Sequence, residues 1–124
     1  MRCYCHGVHT TTAQAFGIPE GTLAALLDDV GTAPVAEPMK PLLRYARKLT
    51  LTPSKMAPAD ALQVLAAGWP EQALHDAVAV CGLFNLMNRL VEGLGITAGE
   101  DYFQASARRL AETGYEGLRD LLTP

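Results

Sequence analysis

Residues 70–95 read PEQALHDAVAVCGLFNLMNRLVEGLG, the longest helix-like run in the chain. Pro70 suits a helix start, and Glu71 is favourable beside the positive end of the helix dipole. Apolar residues recur at alternating steps of four and three, so they share one face. They are Ala73, Ala77, Val80, Phe84, Met87, Val91 and Leu94. A second stripe holds Leu74, Val78, Cys81, Asn85 and Asn88. This pattern predicts a central helix that is largely buried.

Glycine and proline mark further helices on both sides of this stretch. The predicted helices run from Cys5 to Phe16, from Pro19 to near Val30, from Pro38 to Leu49, from Pro58 to Gly68 and from Glu100 to Glu112, and a short last helix carries Leu118, Leu121 and Leu122. No run alternates apolar and polar residues as a strand would. The sequence therefore predicts an all-α helical bundle forming a single domain over residues 1–124.

Composition excludes several classes of protein. Ten basic residues against thirteen acidic ones give a net charge of −3, whereas a nucleic-acid-binding domain needs a basic footprint. Uncharged apolar runs are too short to cross a bilayer, and the first residues lack the apolar run of a signal peptide. Three cysteines do not make a disulfide-stapled scaffold. We expect a cytoplasmic protein with reduced thiols and no nucleic-acid or membrane partner.

Reactive side chains are concentrated at residues 3–9, which read CYCHGVH. Cys5 and His9 are four residues apart, so a helix would stack them on one face. An imidazole that accepts the thiol proton would produce a nucleophilic thiolate, and the helix start also favours it. Cys3 is the predicted second thiol, which could condense with a sulfenic acid on Cys5. Since residues two apart on a helix diverge, a Cys3–Cys5 disulfide requires non-helical chain before Cys5.

Other interpretations of this segment stay open. Cys3, Cys5, His6 and His9 could be zinc ligands, although their spacing is more compact than in usual zinc sites. The segment could also be a frayed terminus without a role, or His9 could be an ordinary half-buried histidine. Cys81 is interpreted as a buried, inert core thiol. The predicted catalytic residues are therefore Cys5, His9 and Cys3, with no metal and no cofactor.

Several blocks resemble one known family. Cys5-His6-Gly7-Val8-His9, followed by residues 12–17 (TAQAFG), resembles the alkylhydroperoxidase (AhpD-like) and carboxymuconolactone decarboxylase superfamily. The likeness is greatest to its peroxidase-related branch, which carries Cys-x-x-Cys-x-x-x-His at a helix start. Three further blocks support it, at residues 43–50 (LRYARKLT), 84–95 (FNLMNRLVEGLG) and 114–118 (GYEGL).

This resemblance implies an all-α fold, a homo-oligomer and thiol-dependent reduction of peroxides. It places Cys5 and His9 in the active site, and it implies regeneration by a dithiol reductant, either lipoyl-type or thioredoxin-like. Two departures stand out. The first motif cysteine of the family falls on Arg2, so the motif becomes Cys-x-Cys. The helices that precede the motif in the family, and a glutamate of its proton relay, are absent. Loss of that layer would expose apolar helix faces and favour self-association.

Three functions follow as expectations. The leading one is a peroxidase-like oxidoreductase that reduces hydrogen peroxide or organic hydroperoxides through the Cys5 thiolate, assisted by His9. A second is a lyase resembling carboxymuconolactone decarboxylase, which needs no cysteine pair. A third is a non-enzymatic module for oligomerisation or redox sensing.

Overall fold

The computed structural model describes residues 4–117 and Arg119. Its six α-helices are α1 (Tyr4–Ala15), α2 (Thr22–Asp28), α3 (Met39–Leu51), α4 (Pro58–Ala66), α5 (Glu71–Gly93) and α6 (Glu100–Thr113). Short 3-10 turns cover Pro53–Lys55 and Tyr115–Gly117. Because the described residues include no strand, the all-α prediction is confirmed for them. The predicted last helix, with Leu118, Leu121 and Leu122, lies outside the described residues.

The helices end where the sequence provides a residue suited to ending them. Gly17 lies two residues after the end of α1 and has a φ angle of 85°. Gly114 follows α6 directly and has a φ angle of 60°. One predicted boundary is wrong, because α2 begins at Thr22 and not at Pro19. Gly21, with φ of 88°, interrupts the helical backbone between those two positions.

The chain forms two compact units, and their boundary falls within α5. The first combines residues up to 21 with those from 88 onward. In it α1 packs on α6 through a small apolar cluster of Val8, Phe103 and Leu110. Gly7 lies so close to the Phe103 ring that a β-carbon at position 7 would overlap with it. Glycine at this position therefore sets the close approach of α1 to α6.

The second unit comprises residues 22–87. Asp60 ties the start of α4 to α3, since its carboxylate accepts the Ala57 N–H at 2.7 Å and pairs with the Lys48 ammonium at 2.7 Å. Arg47 donates to the Leu27 carbonyl near the end of α2, at 2.8 Å. The indole of Trp69 donates to the Pro38 carbonyl at 2.7 Å. Polar contacts between side chains and helix ends thus connect α2, α3 and α4.

The predicted burial of α5 is wrong, although its extent is confirmed. Within the predicted apolar stripe, Val91 is buried and Phe84 is half-buried, whereas Val80, Met87 and Leu94 are exposed. Cys81 is also only partly buried, and its sulfur lies 3.2 Å from the Thr50 hydroxyl. Helix α5 carries more apolar side chains than the rest of the chain covers, so their number alone overestimates how much of the helix is buried.

Candidate active site

Helix α1 carries both residues of the predicted thiol–imidazole pair. Its helical backbone begins at Tyr4, so Cys5 and His9 are one turn apart on a continuous helix. Both side chains are partly buried, whereas the adjacent His6 is exposed. Gly7, Val8 and Thr11 form the buried face. Cys5 and His9 therefore lie along one side of α1, at the margin of the face that packs on α6.

Burial alters the acid–base behaviour of His9. Desolvation disfavours the charged imidazolium and lowers the pKa of His9 below its ordinary value of 6.5. The ring therefore stays neutral at neutral pH, the form that can accept a proton from a neighbouring thiol. This is the protonation state that the predicted chemistry requires.

Cys3, the predicted second thiol, lies outside the described residues, as does Arg2. The alternative of a zinc site needs several ligands together. Within residues 4–117 and Arg119, no group of three His, Cys, Asp or Glu side chains could hold a metal ion.

A polar cluster beside Cys5 was not predicted from the sequence. The phenolic oxygens of Tyr4 on α1 and Tyr102 on α6 are 2.6 Å apart, with ring centroids separated by 5.6 Å. Tyr4 also meets the edge of Phe103, at a centroid distance of 6.5 Å. Ser106 and Arg109 lie one and two turns further along α6, close enough to influence Tyr102. The cluster thus spans the interface between α1 and α6, and its member Tyr4 directly precedes Cys5 in the sequence.

The two phenols of this cluster are inequivalent. Burial and the hydrogen bond to Tyr102 raise the pKa of Tyr4 to about 12, and the neighbouring Cys5 acts in the same direction. Conversely, the hydrogen bond with Tyr4 lowers the pKa of Tyr102, and Ser106 and Arg109 lower it further against the effect of burial. The surroundings therefore act in opposite directions on the two hydrogen-bonded phenols.

Sequence separation explains why this cluster was missed. Ninety-eight positions separate Tyr4 from Tyr102, and no spacing rule links them. Nothing in the sequence distinguishes Arg109 from the other charged residues of the predicted helix from Glu100 to Glu112. In the structure its Nε is buried and has no hydrogen-bond partner among the described residues.

Two open clefts lie along α6. One has a volume of about 450 Å³ and is lined by residues that include Arg109, Asp101 and Glu112. The other lies between α1 and α6, has a volume of about 310 Å³ and is lined partly by Thr11, Gln14 and Arg108. Both combine basic and acidic side chains. Neither lining includes Cys5 or His9, so the predicted pair lies outside both clefts.

No family model matches the chain, and neither the curated proteins nor the solved structures contain a significant match. None of the helices in residues 4–117 combines the length and apolar character that a bilayer crossing requires.

Proposed function

We propose that this chain is a peroxidase-like oxidoreductase that reduces hydrogen peroxide or organic hydroperoxides with a cysteine thiol. One observation carries the proposal: Cys5 and a neutral, half-buried His9 lie one turn apart on α1. The resemblance of residues 5–9 and 84–95 to the AhpD-like superfamily points in the same direction. As part of this proposal the protein acts in the cytoplasm, where thiols remain reduced, and assembles as a homo-oligomer.

The proposed reaction begins with a proton transfer from the Cys5 thiol to the neutral imidazole of His9. The thiolate sulfur then attacks the nearer peroxide oxygen, and the O–O bond breaks with its electron pair leaving on the distal oxygen. His9 returns its proton to that oxygen, which departs as water or an alcohol. Cys5 is left as a sulfenic acid, and the peroxide has been reduced by two electrons.

A second thiol completes the proposed cycle. Its sulfur attacks the sulfenic sulfur of Cys5, a disulfide forms and water leaves. Cys3 is the proposed second thiol. An external dithiol, lipoyl-type or thioredoxin-like, then reduces the disulfide by thiol–disulfide exchange and is itself oxidised to a disulfide. The partners of the protein are thus a peroxide and a dithiol, with no resident cofactor.

The test is rapid-mixing measurement of peroxide consumption with a dithiol reductant supplied in excess. Multiple turnovers that depend on Cys5 are the expected result. If the Cys5→Ser variant consumes peroxide at the wild-type rate, the proposal is wrong. Turnover of a carboxylated muconolactone by that same variant would instead favour the lyase alternative, which needs no cysteine pair.

A non-enzymatic redox-sensing or self-assembly module is the second candidate. Two observations favour it, namely the exposed apolar side of α5 and the position of Cys5 outside the two clefts on α6. Mass spectrometry of peroxide-treated protein separates the candidates. A sensor would be oxidised once and would turn over slowly even with reductant present, whereas a peroxidase would cycle.

A further inference from the structure

The pair formed by Tyr4 and Tyr102 brings two oxidisable rings into contact. Their phenolic oxygens are 2.6 Å apart, their ring centroids are 5.6 Å apart, and the ring planes are tilted by 39°. Both residues belong to the same compact unit, in which α1 packs on α6. The ortho carbons of a phenol flank the carbon that bears its oxygen. Contact between the two oxygens therefore also brings an ortho carbon of one ring near the other ring.

The pair is accessible to a small oxidant from one side. The Tyr102 side chain is 43% exposed, whereas Tyr4 is half-buried and contacts both Tyr102 and Phe103. A reactive molecule in solution therefore meets Tyr102 first, with Tyr4 directly against it. Side chains at partly exposed positions move within picoseconds to nanoseconds, so the rings can make the short approach that a bond between them requires.

Neighbouring groups favour Tyr102 as the first ring to lose an electron. The hydrogen bond with Tyr4 lowers the pKa of Tyr102, and Ser106 and Arg109 lower it further against the effect of burial. A phenolate is oxidised more readily than a phenol, because the electron leaves a negatively charged oxygen. The pKa of Tyr4 is instead raised to about 12, mainly by burial. The two rings are therefore suited to be oxidised in succession.

We propose that Tyr4 and Tyr102 form an oxidative modification site, at which peroxyl radicals join the two rings through a carbon–carbon bond into an intramolecular dityrosine. One peroxyl radical takes the hydroxyl hydrogen atom of Tyr102 and becomes a hydroperoxide, and a second does the same at Tyr4. The two phenoxyl radicals combine through an ortho carbon of each ring. The hydrogen atom on each of those carbons then moves to the oxygen of its own ring, which restores both phenols.

The atoms and electrons of this reaction balance. The tyrosine pair loses two hydrogen atoms, and two peroxyl radicals become two hydroperoxide molecules. The inference does not rest on the proposed function, although the released hydroperoxides are of the class that the proposed reaction reduces.

Contact between the rings makes this pair the preferred site among the four tyrosines of the chain. A phenoxyl radical on an isolated tyrosine must meet a second chain, whereas the partner of Tyr102 is already in place. Tyr45 belongs to the other compact unit, and Tyr115 is an exposed residue outside the cluster. The product links residues 98 positions apart and restricts the unfolded chain, so the modified protein should unfold at a higher temperature.

The test exposes the full chain, at low micromolar concentration, to peroxyl radicals released by a water-soluble azo initiator in air-saturated buffer. We expect the blue fluorescence of dityrosine in the single-chain band of a denaturing gel. Trypsin cuts after Arg44 and Arg89, so Tyr4 and Tyr102 fall in separate peptides. Mass spectrometry should find these two peptides joined and two hydrogen atoms lighter than their sum.

Matched variants show whether the contact is responsible. Tyr4→Phe and Tyr102→Phe should each lose the joined peptides, whereas Tyr115→Phe should retain them, since Tyr115 lies outside the pair. Circular dichroism of each variant verifies that helix content is unchanged. The wild type treated in concentrated urea is a second control, because it has the same tyrosines without the contact and should lose the joined peptides.

Three results would overturn the proposal. They are the absence of joined peptides from the folded wild type, their persistence in Tyr4→Phe or Tyr102→Phe, and an equal yield from the wild type in urea.

Discussion

The phenolic oxygens of Tyr4 and Tyr102 share a hydrogen bond 2.6 Å long between α1 and α6. The pKa values of the two tyrosines are shifted in opposite directions: that of Tyr4 is raised to about 12, and that of Tyr102 is lowered. Because Tyr4 precedes Cys5 directly, this bond holds the first turn of α1 against α6. It therefore restrains the segment that carries the proposed nucleophile.

Replacing Tyr4 by Phe should raise the pKa of Tyr102 toward its ordinary value of 10, because the hydrogen bond with Tyr4 is the main cause of its lowering. The measurement is near-ultraviolet difference absorbance during an alkaline titration. Tyr115→Phe is the control, since Tyr115 is exposed and lies outside the cluster. An unchanged titration of Tyr102 in the Tyr4→Phe variant would contradict this role of the hydrogen bond with Tyr4.

Replacing Cys5 by Ser should reduce peroxide consumption to the uncatalysed rate, because a hydroxyl at ordinary pKa does not attack the O–O bond. The matched variant is Cys81→Ser, which retains a hydrogen-bonding group beside the Thr50 hydroxyl and should keep the wild-type rate. The measurement is rapid mixing with peroxide and excess dithiol. Equal loss in both variants would indicate a folding effect and not a nucleophile at position 5.

The rate of peroxide reduction should fall at acidic pH as His9 becomes protonated. Burial lowers the pKa of His9, so this decline is expected below its ordinary value of 6.5. His9→Gln should abolish the decline and reduce kcat/KM by about 10²–10⁴-fold, the usual contribution of a proton-transfer group. His6→Gln, on the exposed side of the same helix, should retain both rate and profile. A pH profile shared by wild type and His9→Gln would exclude His9 as the proton acceptor.

His9 should also make folding stability depend on pH. Since its pKa is lower in the folded protein than in the unfolded chain, the unfolded chain binds the proton more tightly. Stability is therefore complete above 6.5 and declines as pH falls through 6.5 toward the lower folded-state pKa. Urea unfolding at about pH 7 and about pH 5 measures the decline. It should be smaller in His9→Gln, and an equal decline would show that other groups cause it.

Replacing Gly7 by Ala should destabilise the protein, because the added β-carbon would overlap with the Phe103 ring. Overpacking of this kind costs about 1–3 kcal/mol, against a helix-propensity gain of up to about 1 kcal/mol. Gly82→Ala is the matched control, since it is helical and its β-carbon would meet nothing within 4 Å. Thermal unfolding should move down for Gly7→Ala and slightly up for Gly82→Ala. A stabilised Gly7→Ala would show that Phe103 moves aside without cost.

Local signals in the sequence predicted the helices well and their burial poorly. Gly17, Pro58 and Gly114 act through backbone geometry within a few residues, so the ends of α1, α4 and α6 could be located directly. The burial of α5 depends on which of its faces the rest of the chain covers. The periodicity of its apolar residues does not contain that information. The apolar pattern therefore predicted a buried helix where the structure has an exposed stripe.

The candidate site divides in the same way. Cys5 and His9 are related by the period of one helix, so their common side of α1 followed from four-residue spacing. Tyr102 and Arg109 reach the site from α6, and tertiary packing such as that of Gly7 on Phe103 brings that helix to α1. Contacts of this kind depend on tertiary structure, which a single sequence does not specify residue by residue.

The single tryptophan, Trp69, donates its indole N–H to the Pro38 carbonyl inside the unit of residues 22–87. The hydrogen-bonded tyrosine pair belongs wholly to the other unit. Trp69 emission therefore reports on one unit alone, whereas three of the four tyrosines, Tyr4, Tyr102 and Tyr115, report mainly on the other. Indole emission and phenol absorbance, recorded during one denaturation, can reveal whether the halves melt together or in sequence, with no dye or label attached.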